Sequence, residues 1–216
     1  MYEVFRQYYD SVSPEGFRRD LGQKTYVICL RDADGKLQGF TTIEVIEQVF
    51  EGQRIRALYS GDTIIHEDFR GEQTLPWAFT RLAGRIKREA RDVPLYWFLI
   101  VKGDKTYRYL PAFLHEFYPN CRTATPPWAR RLMNSLATAK FGADYEALAG
   151  VARFARSHGH LRADCAAPEP GRERRPDVRF FLETNPGYHR GDELVCLAEL
   201  SATNLRSIGR TDFLDG

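Results

Sequence analysis

Cysteine is scarce in this chain and never paired. Cys29, Cys121, Cys165 and Cys196 lie far apart and form no CxxC motif, so reduced and mostly buried thiols are expected. No apolar run approaches the roughly 18 residues of a membrane span. The first residues, MYEVFRQYYD, lack a basic stretch followed by an apolar one, which makes the cytoplasm the expected location. Surplus charge is absent as well. Lys and Arg number 31 against 29 Asp and Glu, a formal net charge of +2, which argues against a dedicated nucleic-acid binder. There is no GxSxG of an α/β-hydrolase, no Walker loop, no GxGxxG and no internal repeat. The HGH at 158–160, with Asp164 and Cys165 after it, has no second ligand pair at zinc spacing, so no metal is expected.

What is present describes an ordinary core. The 216 residues are 43% hydrophobic and 28% charged, enough for one domain. Tyr26, Ile28 and Leu30 alternate along a first strand, and Asp34-Gly35 supplies a hairpin turn. A second strand runs through Phe40, Ile43, Val45 and Val49. After the turn at 51–53, RIRALYSGDTIIHE completes an antiparallel meander. The period then changes. Leu75, Phe79, Leu82 and Ile86 recur on one face of a helix over about 74–90, with Thr74 placed to cap it and Pro76 in its first turn. Leu95 to Val101 is an unbroken apolar run between Pro94 and Gly103, the pattern of a buried central strand.

The remainder is expected to form a helix over DKTYRYLPAFLHEFYP broken or kinked at Pro111, then a loop at 121–128 and a helical stretch over about 129–157. A Pro-rich charged loop over 162–178 leads into a closing hairpin at about 178–200, joined by an Asn-Pro-Gly turn, and the tail after Asn204 is expected to be loosely held.

Between about 20 and 120 this order of elements resembles the GNAT superfamily of acyltransferases. The residues carrying the likeness are GKLQGFTTIEVIE as an early hairpin strand, TIIHEDFRGEQTL as the signature segment, and YWFLIVKGDKTYRYLPAFLHEFYP as the fifth strand with the helix after it. The resemblance implies an α/β (α+β) fold: one domain with a mixed, mostly antiparallel sheet, flanking helices and a splayed strand pair. Residues 121–177 would be an insertion of helix and loop.

In that family the loop after the signature strand holds the pyrophosphate of coenzyme A on backbone amides at a helix start, with glycines that permit close approach. Mapped here, the donor site would be Ile64, Ile65, Arg70, Gly71, Glu72, Gln73, Thr74 and Leu75. The two later glycine positions carry Gln73 and Leu75, so the defining glycines are missing. Three readings stay open: an acyl-CoA donor bound through backbone amides, a phosphopantetheine thioester on an acyl-carrier protein, or a non-catalytic GNAT-like module that binds a thioester or protein partner. Arg81, Arg85 and Arg88 share a helix face that would suit an acidic carrier protein, or would simply be solvated.

The implied activity is N-acyl transfer to the amine of a small molecule, with no metal. It needs a base for the amine and an acid for the leaving thiolate. Asp62 and His66 on the signature strand, and Tyr107 and Tyr109 after the fifth strand, are the catalytic candidates. Tyrosines two apart on a helix point in different directions, so at most one faces the site. Aromatic residues between Trp77 and Tyr118 would serve an acyl pocket or the core.

Overall fold

A computed structural model describes residues 1–69, 74–154, 160–162 and 171–216. The meander forms as its turns dictate. β2 (Tyr26–Arg31) and β3 (Leu37–Phe50) are joined through Asp32, whose carboxylate accepts from the Asp34 and Lys36 amides, and through Gly35 at φ 80°. β3 and β4 (Gln53–Ile65) meet at Glu51-Gly52, both at positive φ, the two-residue turn whose twist matches a hairpin.

β4 then pairs in parallel with β5 (Leu95–Val101), after the crossover helix α3 (Thr74–Glu89). β5 pairs antiparallel with β9 (Glu193–Glu199). The short strands β7 (Val151–Ala152) and β6 (Tyr145–Glu146) close the far edge. The seven-stranded order is β2-β3-β4-β5-β9-β7-β6, with β4–β5 its parallel pair.

Both faces of the central strands are buried, which explains the unbroken apolar run of β5. Leu58, Leu99 and Cys196 face α3, whose Phe79, Ala83 and Ile86 pack on them. Ala57, Phe98 and Val195 face α6 (Pro127–Phe141), which presents Ala129, Leu132, Met133 and Leu136. A third cluster joins α1 (Tyr2–Phe5) and α2 (Pro14–Leu21) to the end of β3–β4 through Phe5, Phe17, Phe40 and Ile64. Ser13 caps α2 by accepting from the Gly16 amide at 3.0 Å, and Pro14 opens its first turn. The two-residue β1 (Tyr9–Asp10) pairs with β8 (His160–Leu161).

Five expectations are corrected. The helix after β5 breaks at Arg108, into α4 (Asp104–Tyr107) and α5 (Tyr109–Phe113), and Pro111 sits early in α5 where its missing N–H is not needed. The helical stretch from 129 stops at Phe141, and β6 and β7 follow. The first strand of the closing hairpin is a helix, α7 (Pro176–Thr184): Pro176 opens it, and Val178 and Phe181 point together into the core. Each such burial contributes about 1.5–3 kcal/mol, which outweighs the β propensity of Phe-Phe. The tail is not loose. Its helix α8 (Ser207–Asp215) lies so close to α3 that a Cβ at Gly84 would run into the Phe213 carbonyl. Nor are the thiols mostly buried: of the described cysteines, Cys196 is buried and Cys29 and Cys121 are exposed, while Cys165 and most of the HGH segment lie outside the described residues.

Candidate functional site

The site begins where the parallel pair separates. β4 and β5 are hydrogen-bonded from Arg56↔Leu95 to Ser60↔Leu99 and then part, β4 continuing with β3 to Gly39↔Ile65 and β5 with β9 to Val101↔Leu194. At the parting β4 carries one extra residue, since Thr42 faces Gly61 but Phe40 faces Ile64. Asp62 sits in this bulge at φ 41°, a left-handed conformation a non-glycine residue adopts at some cost. Gly39 lets β3 approach across the bulge, because a Cβ there would lie 2.6 Å from the Ile64 carbonyl oxygen.

A cavity of about 1090 Å3 opens at the gap, bounded by the ends of β4 and β5, the α1–α2 segment, the start of α4 and the end of α6. Its charged lining comes from distant parts of the chain. Lys24 lies 2.9 Å from Asp20, Lys102 lies 3.3 Å from Glu193, and Lys140 pairs with Glu44. The Lys24 and Lys140 ammoniums each stand 5.0 Å from the Tyr59 ring centroid.

Asp62 is central to this network. Burial, then a hydrogen bond with Asp20 and the nearby Asp20 charge, push its carboxyl up to about 7, against the pull of Lys102 and Lys24. Asp20 moves the other way. Burial works against its charge but is outweighed by the Asp62 hydrogen bond and by Lys24. The two carboxyls thus hold one proton between them near neutral pH, a coupled titration of the pair. Burial also raises Glu193, with Lys102 opposing.

On the α3 side lies a second pocket of about 50 Å3, lined by Leu75, Pro76, Phe79, Trp97, Leu114 and Leu200 among others. The Trp97 indole N–H donates to Ser60 Oγ at 2.8 Å, and the Thr41 and Thr63 hydroxyls bond at 2.8 Å. Ser60, Thr63, Thr106, Tyr109 and Phe113 border both spaces, so the two meet at the strand gap.

The sequence candidates divide accordingly. Asp62, Ile64, Ile65 and Tyr109 line the large cavity, and Leu75 and Tyr109 line the apolar pocket. Burial raises the Tyr109 phenol, so it stays protonated at neutral pH. Tyr107 is placed elsewhere: its fully buried hydroxyl donates to the Pro119 carbonyl at 2.8 Å and borders neither space. His66 lies just past the end of β4. Its backbone N–H donates to the Gln38 carbonyl at 2.8 Å, its ring stands 3.4 Å from the Asp68 carboxylate, and it also borders neither space. Thr74 is the exposed first residue of α3, while Arg70, Gly71, Glu72 and Gln73 lie outside the described residues. Arg81, Arg85 and Arg88 are exposed, with Arg85 on the Tyr26 ring and Arg88 donating to the Leu214 carbonyl at 3.1 Å.

Asp20, Lys24, Lys102, Lys140 and Glu193 were not candidates from the sequence. A Lys and an Asp four apart at the end of a helix are ordinary surface chemistry. Only the fold brings them to one cavity.

No family model matches the sequence, and no curated protein matches it. Partial likeness exists to solved structures. A conserved protein of unknown function from Enterococcus faecalis V583, described as a probable N-acyltransferase, shares 14% identity over 54% of this chain and 29% of its own, with a TM-score of 0.41. The GNAT family N-acetyltransferase YhbS of Escherichia coli, in complex with CoA, shares 14% identity over 51% of this chain and 59% of its own, with a TM-score of 0.38. The chain therefore spans less than two thirds of either protein. The fold class rests on the sheet itself: mixed α/β, seven mostly antiparallel strands flanked by helices, and a parallel β4–β5 pair that parts.

Proposed function

We propose that the protein transfers an acyl group from a pantetheine thioester, on coenzyme A or a carrier protein, to the amine of a small molecule. The observation that carries this reading is the junction of two unlike spaces at the strand gap, one apolar and one charged, with Asp62 in the bulge beside it. The thioester end of the donor enters from the apolar side by Leu75 and Phe79, and the amine from the charged cavity. Asp62 takes the proton that the acceptor ammonium must lose, a task suited to a carboxyl poised near neutral pH. The amine nitrogen then attacks the thioester carbonyl carbon, the C–N bond forms and the C–S bond breaks. The departing thiolate accepts a hydrogen bond from Tyr109 and takes up the proton that the nitrogen sheds after attack, while the proton held by Asp62 passes to solvent, so the products are an amide, a free thiol and one released proton.

Thiol release tests the reading, followed with acetyl-CoA, a long-chain acyl-CoA and an acyl-carrier protein over a panel of primary amines. Amine-dependent release with one donor class is expected. Absence of release with every donor, despite a donor-induced rise in melting temperature, would leave a binding module in place of an enzyme.

A further inference from the structure

The α4 turn holds two polar atoms that the fold leaves unserved. Asp104 is 2% exposed, and its Oδ2 has no hydrogen-bond partner among the described residues. Arg108, one turn later, has a buried Nε–H with no acceptor among them. Both residues line the large cavity, next to Thr106 and Tyr109 at the junction. Buried polar atoms are nearly always paired, because an unpaired one loses its water and gains nothing in return. A guanidinium N–H without an acceptor and a carboxylate oxygen without a donor, four residues apart on one helical face, therefore describe the complement of a ligand. That ligand presents an anionic oxygen to Arg108 and an N–H to Asp104.

The rest of the cavity narrows the class. Lys24 is already matched with Asp20, and Lys102 with Glu193. Asp62 already has a hydrogen-bond partner in Asp20. Among the described residues of the cavity wall, the buried side-chain polar atoms without a partner are Asp104 Oδ2 and Arg108 Nε.

We infer that α4 forms the recognition subsite for an acceptor amine that carries its own carboxylate, an amino acid, with Arg108 holding the carboxylate and Asp104 an ammonium hydrogen. The inference rests on the acyl-transfer reading for the word acceptor, but the subsite is a binding statement by itself. In an α-amino acid the two charged groups share one carbon, a spacing that side chains four apart on a helix can bracket. An arginine fork suits a carboxylate better than a lysine would, because it offers parallel N–H donors.

The test uses calorimetry on the full chain without donor. The ligands are amino acids with apolar, aromatic and acidic side chains, each beside its decarboxylated amine. At least tenfold tighter binding of one amino acid than of its amine is expected. Arg108→Gln should erase that ratio, Arg108→Lys should restore part of it, and Asp104→Asn should weaken both ligands. Circular dichroism confirms that each variant folds. Equal binding of each pair, no binding of any member, or an unchanged ratio in Arg108→Gln would overturn the subsite. Selective binding without thiol release would sink the transfer reading and keep the subsite. Thiol release with no preference for carboxylated amines would do the reverse.

Discussion

The two spaces at the strand gap are built on opposite principles. The large one collects charge from separate parts of the chain, and Lys24, Lys102 and Lys140 in it are each neutralised by a carboxylate and covered by a tyrosine face. The small one is nearly bare of charge, and its polar groups include hydroxyls and an indole already bonded to one another. Charge handling and exclusion of water are thus separated by one strand's width. On the proposed reading, a thioester would use the dry side, where competing hydrolysis is suppressed, and an ammonium the wet side, where its proton can be taken. β4 supplies both, because its side chains alternate faces and its bulge interrupts that alternation at Asp62.

The strongest way to break this contrast is Asp62→Asn. General-base assistance is worth about 100- to 10,000-fold, so thiol release should fall by about that much while circular dichroism is unchanged. Wild-type release should climb as pH rises through about 7, where Asp62 gives up its proton, and the variant should lack that rise. An undiminished rate at pH 8 in the Asp62→Asn variant would show that another group takes the proton.

On the apolar side the corresponding change is Phe79→Ala. Phe79 is 7% exposed and its ring lies 4.8 Å from that of Trp97. Urea unfolding should show a loss of about 3–5 kcal/mol, the cost of emptying a buried phenylalanine site. The pH at which thiol release rises should stay in place, because no ionisable group has moved. A shift would mean that the two spaces are electrostatically one.

How far this contrast was legible in the sequence follows from how local each signal is. The meander, α3 and β5 follow from turn residues and periodicity within short windows, and the structure keeps them with small changes in bounds. Asp62 was singled out as a carboxylate in an apolar stretch, but the bulge that aims it depends on the register with β3. Tyr107 and Tyr109 look equivalent as sequence. Which of them borders the cavity is decided by the break at Arg108. The α7 segment reads in the sequence as a strand joined to the next by an Asn-Pro-Gly turn, while its tertiary setting rewards a helix. The charged wall was beyond local reading altogether, since the ends of α2, β5, α6 and β9 each contribute one or two charges to it.

Acid and base stability sharpen the contrast with a smaller effect. The Asp62 carboxyl ionises near 3.8 in the unfolded chain and near 7 in the folded one. Between those values the unfolded state binds fewer protons, so this group's contribution to stability falls as pH rises across the window and is lost above about 7. Asp20, lowered on folding, acts in the opposite sense and only below its ordinary range. Asp62→Asn should therefore raise the melting temperature relative to wild type more at pH 8 than at pH 4. Phe79→Ala should lower it by similar amounts at both.

The smallest effect is expected at the seam itself. Trp97 faces the apolar pocket, and its indole N–H reaches Ser60 Oγ at 2.8 Å on the last residue of β4 paired to β5. Trp97→Phe deletes the donor and keeps most of the ring. One neutral hydrogen bond contributes about 0.5–1.5 kcal/mol, and Ser60 is 8% exposed, so its oxygen has little water to turn to. Chemical denaturation should register about 1 kcal/mol. Ser60→Ala should cost a similar amount by stranding the indole N–H, whereas the double variant should cost less than the two together, since it removes both partners and leaves neither unserved. Strict additivity in this cycle would mean that the indole and the hydroxyl act independently. The seam between the wet and dry spaces would then be held by backbone pairing alone.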